Sequence, residues 1–533
     1  MIRGILLLVL GQLLVSIVVN GQKIEFSKKL LSPDRSKDDW FGDVVTSSDK
    51  YLAISATRET DDANGGNSIG NAGAVYIYEK DGAEWKFVQK IVQFDRGSVY
   101  FGSDLDFYGD WLFVGVPFSH TDTFGLNPMS NAGSVYVFKR NSSGVWVEMQ
   151  KLIAPERQSD GLYGRSVAVH GEYAVVGMPQ YNQVDSNVNW VGTAYVFKLQ
   201  STGKWRFYQK LNFPSRLSAS QFGYSVDIYD NTVLVGASWD KLDTNSNKSI
   251  NAAGAAYFYS LNDSDDWVYR QKVVSEYRSQ SCFFGRTVVL DKDRAIISSW
   301  KEDMRNTGGF PMGDAGSAYL YKRGPHGYWK RTQIITPDDR AAGDLFSMSV
   351  SLDSGIAVIS APYEDASLGS NYFQAGSVYI YEENNKGVYE LYQKVISNRP
   401  AKNVLFGWAV TNQHKEVFIG ASGETHNAEN KDSIYYAGAC FAYNPSISTD
   451  IANMHQQAKF SLYPNPFSGS FWISPNEPVN YEVRILDPMG RVIQHQIYSG
   501  SWPIQGRVEG PAGLYIIQIN DGNGWVGTTL VKE

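Results

Sequence analysis

Acidic and aromatic residues recur at regular intervals along the chain, and they are its first candidates for chemistry. Each acid comes shortly after an apolar run that predicts a strand, and the five acids are Glu59, Asp240, Glu302, Glu364 and Glu424. Three aromatic residues stand within two positions of three of these acids, namely Trp239, Trp300 and Tyr363. Acids gathered at one rim would bind a cation or a basic partner, and aromatic faces would stack on a glycan or a protein ligand. The alternative role for both sets is structural, with the acids bonded to backbone amides in turns and the aromatics anchoring loops.

The sequence contains no arrangement typical of a known catalytic or metal centre. Gly66-Asn67-Ser68-Ile69-Gly70 fits the Gly-x-Ser-x-Gly pattern, but it lies in a polar stretch and not at a strand-to-helix elbow. The seven His residues show no metal-ligand spacing, and neither a P-loop nor a dinucleotide fingerprint is present. We therefore predict no catalytic residue, no metal site and no cofactor. The formal net charge of −7 also argues against nucleic-acid binding through a basic surface.

The candidate residues belong to a repeat of about 61 residues that fills most of the chain. Its seven units open with an aromatic residue that Gly follows in six of them: Phe41-Gly42, Phe101-Gly102, Tyr163-Gly164, Phe222-Gly223, Phe284-Gly285, Phe346-Ser347 and Phe406-Gly407. The gaps between successive aromatics are 60, 62, 59, 62, 62 and 60 residues. A fixed period of this length indicates an array of one supersecondary unit.

Each unit predicts four β-strands. In the second unit these are residues 101–107, 111–116, 133–138 and 146–152. The third strand is apolar on both faces, which a sheet covered on both sides requires. A four-stranded sheet that packs its two faces against identical sheets is the blade of a β-propeller. The recurrent Gly at the start of the third strand, as in Ala72-Gly73-Ala74, permits a close backbone approach or a bulge.

The two ends of the array indicate how it closes. The seventh unit stops at Asn444 without a fourth strand, and residues 26–35 near the start of the chain match residues 148–157, which include the fourth strand of the second unit. An N-terminal strand that completes the last blade would remove the open sheet edges of the array. We therefore predict an all-β fold with a seven-bladed β-propeller over residues 23–444, closed by its N-terminal strand.

The repeat resembles the FG-GAP repeat family, which includes the seven-bladed propeller of integrin alpha chains. The fourth unit carries the resemblance in Phe222-Gly223-Tyr224-Ser225-Val226, Val233-Leu234-Val235-Gly236-Ala237 and Ala253-Gly254-Ala255-Ala256-Tyr257-Phe258. Many blades of that family hold calcium in an Asp-x-Asp-x-Asp-Gly loop between their first two strands. Here the same connection is a tight turn, such as His170-Gly171 or Asp230-Asn231, so calcium sites of that kind are not expected in this chain.

Both ends of the chain carry export signals. Arg3 and the apolar run of residues 4–19 predict a secretory signal peptide over residues 1–22, and no other apolar run is long enough to span a membrane. Residues 445–459 predict a polar linker, and residues 460–533 predict a small β-sandwich. This last segment resembles the C-terminal sorting domain of the type IX secretion system of Bacteroidetes, through Tyr463, Pro464, Asn465, Pro466, Gly490, Gly513 and Tyr515. The resemblance implies handling by that machinery and a secreted or outer-surface location.

The leading functional hypothesis is a secreted or surface binding or adhesion propeller that is not an enzyme and whose ligand is a protein or a glycan. The long connections between second and third strands share one rim with the connections from fourth to first strands, and we expect the ligand to bind there. The five acids and three aromatics named above are the predicted binding residues on this rim. The alternative is an extracellular polysaccharide hydrolase or lyase that uses two rim carboxylates about 5–10 Å apart. A spacer for surface assembly is a third possibility.

Overall fold

The computed structural model describes residues 24–445 except 83, 183–188, 212, 215–218, 304–311, 366–372 and 430, and residues 460–532 except 464–467, 469, 476–480, 488–491, 499–503, 509–510 and 521–524. All regular elements within these ranges are β-strands, as the sequence predicts. The predicted signal peptide and, apart from Pro445, the predicted linker lie outside the described residues. The chain divides into two compact units; one is Lys23–Pro445, and the other contains the strands from Phe460 onward.

Seven four-stranded antiparallel sheets form the unit Lys23–Pro445 in the described residues, and we number them in the order in which their first strands occur. Sheet one contains β2 (Phe41–Ser47), β3 (Tyr51–Ala56), β4 (Ala74–Asp81) and β5 (Glu84–Ile91). Sheet two contains β6 (Asp104–Tyr108), β7 (Trp111–Val116), β8 (Ser134–Arg140) and β9 (Trp146–Leu152). Sheet three contains β10 (Ser166–His170), β11 (Tyr173–Met178), β12 (Thr193–Leu199) and β13 (Trp205–Lys210).

The remaining four sheets repeat the same order along the chain. Sheet four contains β14 (Phe222–Tyr229), β15 (Thr232–Ala237), β16 (Ala255–Leu261) and β17 (Trp267–Val273). Sheet five contains β18 (Val288–Asp291), β19 (Arg294–Ser299), β20 (Ser317–Arg323) and β21 (Trp329–Ile335). Sheet six contains β22 (Val350–Asp353), β23 (Ile356–Ala361), β24 (Ser377–Glu383) and β25 (Tyr389–Ile396). Sheet seven contains β26 (Ala409–Gln413), β27 (Glu416–Ala421), β28 (Ala439–Pro445) and β1 (Ile24–Leu30).

The N-terminal strand completes sheet seven. β1 pairs antiparallel with β28, with Ile24 opposite Pro445 and Leu30 opposite Cys440. This pairing confirms the expectation that the fourth strand missing from the last unit comes from the N-terminal end. β1 thus supplies the hydrogen-bond partners that the free edge of β28 would otherwise lack.

The second and third strands of the sheets are buried on both faces. Every residue of β7 is buried, and so are the first five residues of β8. Apolar side chains from neighbouring sheets form shared clusters; Phe113 and Val137 of sheet two pack in one cluster with Val176 and Trp205 of sheet three. This burial accounts for the apolar composition of both faces of the third strand, since each face contacts a different sheet.

Neighbouring sheets come into close backbone contact at one repeated junction. There the aromatic that opens a unit meets the Gly that precedes the third strand of the previous unit. At each of seven junctions the aromatic N–H donates to the carbonyl of the residue before that Gly: Phe41 to Ala437 (3.0 Å), Phe101 to Ala72 (3.0 Å), Tyr163 to Ala132 (3.2 Å), Phe222 to Val191 (3.0 Å), Phe284 to Ala253 (3.2 Å), Phe346 to Ala315 (3.0 Å) and Phe406 to Ala375 (3.0 Å). The bond from Phe41 to Ala437 joins sheets one and seven in the same way as the other junctions.

The Gly of this junction is required by space as well as by backbone conformation. Gly254 has a φ of +79°, and a Cβ placed on it would lie 2.1 Å from the carbonyl oxygen of Phe284. An L-residue would therefore adopt a strained backbone and would also collide with the next unit. The close backbone approach that the sequence predicts is confirmed, and it occurs between units.

A second contact repeats between the fourth strands of successive sheets. A Gln side chain donates to and accepts from the backbone of the aromatic that begins the next fourth strand: Gln89 with Trp146, Gln150 with Trp205, Gln209 with Trp267, Gln271 with Trp329, and Gln333 with Tyr389. Gln393 makes the same two bonds with Ile24 of β1, each at 2.9 Å. Where β1 meets sheet one, Lys28 stands in the Gln position and pairs with Glu84 at 2.7 Å.

The C-terminal unit contains two sheets that share one apolar core. Its strands are β29 (Phe460–Tyr463), β30 (Phe471–Pro475), β31 (Tyr481–Leu486), β32 (Val492–Tyr498), β33 (Ile504–Gly506), β34 (Gly513–Asn520) and β35 (Trp525–Lys532). One sheet has the order β29-β30-β33 and the other the order β32-β31-β34-β35. Phe471 of the first sheet lies in one buried cluster with Ile485 and Ile517 of the second. Two sheets around one core is the way a β-sandwich is built.

Replacing Gly254 with Ala tests whether the junction needs contact space in addition to a permissive backbone. Gly203 is the matched control, because it has a similar φ of +73° and a Cβ placed on it would meet nothing within 4 Å. We expect Gly203→Ala to lower the free energy of unfolding by about 1 kcal/mol and Gly254→Ala by about 3 kcal/mol or more. Chemical denaturation followed by tryptophan fluorescence measures both, and equal losses for the two variants would contradict the close contact at the junction.

Candidate functional site

The first strands of the sheets surround a cavity of about 600 Å³. At one end its wall is formed by the residues that directly follow the aromatic steps: Asp43, Ser103, Arg165, Tyr224, Arg286, Met348 and Trp408. Trp40, Arg58, Tyr100 and Phe118, which belong to the loops beside these steps, line the same part of the cavity. We call these eleven residues the mouth. Because each step repeats one backbone arrangement, it delivers one side chain per unit to this end of the cavity.

Two guanidinium groups in the mouth converge on one phenol. Arg165 Nη2 donates to Tyr224 Oη at 3.0 Å, and Arg286 Nη1 donates to the same oxygen. Both guanidiniums also lie over the Tyr224 ring, 4.7 Å and 5.1 Å from its centroid. The pKa of Tyr224 is lowered from 10.0 to about 8, because burial, which alone would raise it, is outweighed by the attraction of the two guanidiniums for the phenolate.

A second group of side chains occupies the mouth near sheets one and seven. The guanidinium of Arg58 lies 3.5 Å from the ring centroid of Trp40, and Trp40 meets Trp408 edge-on at 6.4 Å. Asp43 accepts a hydrogen bond from Thr57 Oγ1 at 2.5 Å. Burial raises the pKa of Asp43, and hydrogen bonds from Thr57 and Trp408 act against that rise. The mouth thus combines guanidinium groups with flat aromatic faces, a combination that can bind anions and stack on rings.

The three aromatics predicted from the sequence all connect to the mouth. Trp300 lies under the guanidinium of Arg286, 4.3 Å from it, and Tyr363 is 6.5 Å from Trp408. Trp239 is 39% exposed and joins the same group through Phe283, which is 5.2 Å from Trp239 and 6.2 Å from Trp300. Trp300 and Tyr363 thus contact the mouth residues Arg286 and Trp408, and Trp239 joins them through Phe283, but none of the three lines the cavity itself.

The five predicted acids lie inside the blades, and none of them lines the cavity. The most exposed of them, Glu364, is 8% exposed. In four sheets a Tyr of the third strand donates its hydroxyl to the acid: Tyr76 to Glu59 (2.7 Å), Tyr257 to Asp240, Tyr319 to Glu302 (2.7 Å) and Tyr379 to Glu364 (2.9 Å). Glu424 accepts instead from the backbone N–H groups of Thr425 and His426, at 2.8 Å and 2.7 Å.

Most of these acids also pair with a Lys of the fourth strand, which is buried in three of the four pairs and half-buried in the case of Lys394. The pairs are Lys90 with Glu59 (3.5 Å), Lys272 with Asp240 (2.9 Å), Lys394 with Glu364, and Lys29 of β1 with Glu424 (3.3 Å). Glu302 accepts from Ser275 Oγ at 2.6 Å, and burial raises its pKa. This placement corrects the picture of a solvent-facing acidic ring, because hydrogen bonds and ion pairs inside the sheets engage all five carboxyls. The role is structural, and three of the acids bond to turn amides as the structural alternative states: Glu59 accepts from Asp61 N–H (2.8 Å), Asp240 from Leu242 N–H (2.9 Å) and Glu424 from Thr425 N–H.

Carboxyls deeper in the cavity have a structural role of their own. Asp104 accepts from the backbone N–H of Val167 in the next sheet at 2.7 Å, and Asp227 accepts in the same way from Leu290 at 2.5 Å. Burial raises the pKa of Asp104 to about 6 and that of Asp227 to about 7. These side chains satisfy N–H groups on the inner edge strands, which have no further strand beside them.

Sequence reasoning missed the residues that form the centre of the mouth. Arg165, Tyr224, Arg286 and Trp408 directly follow the aromatic step that defines the repeat. The available signal was chemical variety at one fixed position, since Asp, Ser, Arg, Tyr, Arg, Met and Trp occupy it in successive units. A position that the scaffold itself required would hold one residue type, as the neighbouring Gly does in six units.

The structure describes part of the predicted sorting motif. Tyr463 lies in β29 opposite Trp472, and Gly513 opens β34 opposite Lys532. The hydroxyl of Tyr515 donates to the carbonyl of Pro511 at 2.9 Å. The other predicted motif residues lie outside the described residues, and they are Pro464, Asn465, Pro466 and Gly490.

Among the described residues, no three His, Cys, Asp or Glu side chains are grouped so that they could hold a metal ion. The part of the chain that the structure describes also has no helix of the length and apolar character needed to cross a membrane.

The fold is all-β and built from repeated four-stranded antiparallel sheets, consistent with a β-propeller whose first strands surround a polar and aromatic cavity. The FG-GAP repeat model matches residues 25–78, 146–197, 205–259 and 329–381, and the model of the secretion system C-terminal sorting domain matches residues 461–533. The chain therefore carries FG-GAP repeats and a type IX sorting domain, as the resemblance predicts. The sorting domain implies handling by the type IX machinery and a secreted or cell-surface location. No curated protein matches the chain significantly.

Each FG-GAP match spans a junction between sheets. The match at residues 146–197 begins with the fourth strand β9 and ends in the third strand β12 of the next sheet. The match at residues 25–78 likewise begins in β1 and ends in β4. The repeating unit of the family thus contains the fourth strand of one sheet together with the first three strands of the next.

Removing the charge of Asp240 tests the role assigned to the acids. Asp240→Asn leaves Lys272 buried without its anion, and burial already lowers the pKa of Lys272. We expect a loss of about 3–5 kcal/mol in the free energy of unfolding. Glu302→Gln is the matched comparison, because the main partners of Glu302 are the hydroxyls of Ser275 and Tyr319. Its loss should be about 1–2 kcal/mol, and a smaller loss for Asp240→Asn than for Glu302→Gln in denaturant titration would contradict the internal role.

The two guanidiniums predict that Tyr224 ionises at a lower pH than an ordinary tyrosine. The near-ultraviolet absorbance of phenolate, followed against pH, should show one tyrosine ionising at about pH 8 in the native protein. Tyr224→Phe should abolish this step, and Tyr328→Phe, which removes an exposed tyrosine elsewhere, should keep it. The stability that the phenolate adds is complete above the unfolded pKa near 10 and is lost as pH falls through about 8. Identical titration curves for Tyr224→Phe and the parent protein below pH 9 would refute the assignment.

Proposed function

We propose that the seven sheets form a closed seven-bladed β-propeller that is exported by the type IX system and binds a protein or glycan ligand outside the cell. The hydrogen bond from Phe41 to Ala437 supports closure, since it repeats between the first and last units the bond found at the other six junctions. The pairing of β1 with β28 supports it as well. A ring of this kind holds its loops on a rigid base, which is the usual setting for a binding surface.

The mouth of the cavity is the proposed binding site. The observation that carries this proposal is the convergence of Arg165 and Arg286 on Tyr224, with Trp408 lining the same end of the cavity and Trp300 under the guanidinium of Arg286. Aromatic and Arg side chains supply most of the binding energy at protein recognition sites. A volume of about 600 Å³ is in the ordinary range for a site that takes a small ligand or one unit of a larger one.

We propose a non-enzymatic role without a cofactor. The carboxyls that line the cavity accept hydrogen bonds from neighbouring strands, as Asp104 and Asp227 do. Acids in the long loops are engaged too; Asp62 Oδ1 accepts N–H bonds from Asn64 and Gly66, and Asp243 Oδ1 accepts them from Asn245 and Asn247. A carboxyl surrounded by its own loop's N–H groups is arranged for capping and not for calcium.

The alternative function is an extracellular polysaccharide hydrolase or lyase. What favours it is the raised pKa of two cavity carboxyls, about 6 for Asp104 and about 7 for Asp227, because a general acid must hold its proton near neutral pH. It would use these cavity acids and not Glu302 or Glu364, which are buried inside their blades. Turnover of a polysaccharide that Asp104→Asn and Asp227→Asn abolish would establish it.

A binding screen with mouth variants tests the proposed function. The full chain is labelled and presented with immobilised glycans, matrix proteins and cell-surface extracts, and the same samples are assayed for release of reducing ends. We expect binding without turnover, and we expect Trp300→Ala with Trp408→Ala to weaken binding at least about tenfold. Tyr328→Ala is the matched control; Tyr328 is 65% exposed on a turn between third and fourth strands and should be neutral. If binding is unchanged in the double Trp variant, the mouth is not the binding site.

A further inference from the structure

The mouth holds two positive charges that no acid of the described residues neutralises by direct contact. Arg165 and Arg286 come from sheets three and five, and Tyr224 of sheet four stands between them. Elsewhere in this unit the buried lysines have carboxylate partners, as Lys272 has in Asp240 and Lys151 has in Asp95, and the buried Arg340 donates to the carbonyl of Gly316 and to Ser317 Oγ. The described residues contain no carboxylate oxygen within 4.0 Å of either guanidinium. The two guanidiniums thus differ from the carboxylate-paired lysines, and they share one phenol where Arg340 bonds to a backbone carbonyl.

The acids nearest to the pair are committed to other groups. Arg165 feels the charges of Asp104 and Asp43. Asp104 accepts from the N–H of Val167 at 2.7 Å, and Asp43 accepts from Thr57 Oγ1 at 2.5 Å. Reorienting either carboxyl toward Arg165 would leave a buried donor without its acceptor, which is unfavourable. The protein therefore supplies no ready counterion from its described residues.

Two partly buried cations that share one neutral acceptor repel each other, and an added anion would relieve that repulsion. A guanidinium presents its N–H groups in a planar fork that matches the two oxygens of a carboxylate. Arg286 and Arg165 donate to Tyr224 through one nitrogen each, so further N–H groups of both side chains remain for a ligand. The arrangement is thus complementary to a single carboxylate placed between the two side chains.

The surroundings of the pair fit a sugar ring. Trp300 lies 4.3 Å from the guanidinium of Arg286, and Trp408, Tyr100 and Phe118 are at the same end of the cavity. Ser103 lies among them; its hydroxyl donates to the carbonyl of Tyr100 at 2.7 Å and can accept a hydrogen bond from a sugar hydroxyl. Flat apolar faces next to a hydroxyl acceptor and guanidinium donors match the two kinds of surface that an acidic sugar presents. An extended acidic peptide offers carboxylates without a ring to stack on the aromatic faces.

We propose that the mouth binds an anionic glycan through the carboxylate of a uronic acid unit, held by Arg165 and Arg286 beside the aromatic faces. This inference rests on the proposed binding role of the mouth and names its ligand class. The charge of the ligand unit, and not only its ring, then determines affinity.

Binding of an oligogalacturonate and of its methyl ester to the full chain, measured by calorimetry, tests the inference. The two probes differ only at the carboxyl group, which is a charged carboxylate in one and an uncharged methyl ester in the other. We expect the free acid to bind the unmodified protein at least about tenfold more tightly than the ester. Arg165→Gln and Arg286→Gln should each weaken binding of the acid about tenfold while leaving the ester unchanged. Arg206→Gln, which removes an exposed charge on β13, is the matched control and should change neither.

Five outcomes would overturn the inference, and they separate it from the proposed function. Equal affinity for the acid and the ester would show that the carboxylate is not recognised. A preference for the acid that both Gln variants retain would show that Arg165 and Arg286 do not bind it. If a hexaglutamate peptide binds as tightly as the free acid, the ligand class is an acidic peptide and not an acidic sugar. If a sulfated neutral oligosaccharide binds more tightly, the recognised group is a sulfate and not a carboxylate. Absence of binding to either galacturonate probe would also overturn it. In each case the proposed function stands if Trp300→Ala with Trp408→Ala still weakens binding of the ligand found in the screen. If these substitutions leave that binding unchanged, the proposed function is wrong as well.

Discussion

The fold depends on one backbone contact between successive units. The aromatic residue that opens a unit donates its N–H to a backbone carbonyl of the preceding unit, that of the residue before the junction Gly. The bond itself is ordinary, at 3.0–3.2 Å in all seven junctions. Its consequence is steric, because the two backbones come so close that a Cβ on Gly133 would lie 2.0 Å from the carbonyl oxygen of Tyr163. The aromatic ring then packs on the Tyr of its own third strand, as Phe101 does on Tyr136 at 5.7 Å. The FG-GAP motif is therefore a description of the junction between sheets.

The repeat separates residues that serve the scaffold from residues that serve the site. The Gln of the fourth strand and the Gly of the junction recur because each makes the same contact in nearly every unit, and the Tyr–acid bond and the acid–Lys pair inside a sheet each recur in four units. The residue after the aromatic step makes no contact that the scaffold needs in every unit. It differs in chemistry from unit to unit, and in three successive units it forms the group of Arg165, Tyr224 and Arg286.

The same division explains what the sequence could and could not predict. Periodicity predicts the four strands of each unit, and the match between residues 26–35 and 148–157 predicts that β1 completes sheet seven. Both predictions succeed because strand pattern and register depend on residues that are close together in the sequence. The placement of Glu302 and Asp240 could not be predicted in this way. Their side chains turn toward a Tyr of the third strand and away from the cavity, and that direction depends on contacts made 17 residues later. Repetition of an acid suggests a shared function at the surface, whereas here it reports a repeated internal hydrogen bond.

The junctions also explain how two guanidiniums can share one phenol without neighbouring acids. The residue after each step is fixed by a junction that cannot shift without losing its close backbone contact, so Arg165 and Arg286 cannot move apart by adjusting the main chain. Burial lowers the pKa of Arg286, and the lowered pKa of Tyr224 shows that the pair favours negative charge on whatever lies between them. A rigid scaffold thus holds a positively charged, partly desolvated group in place before any ligand arrives, and such preorganisation reduces the entropy that a ligand must lose on binding. The mouth is therefore better suited to recognition by fixed groups than by loops that order around a ligand.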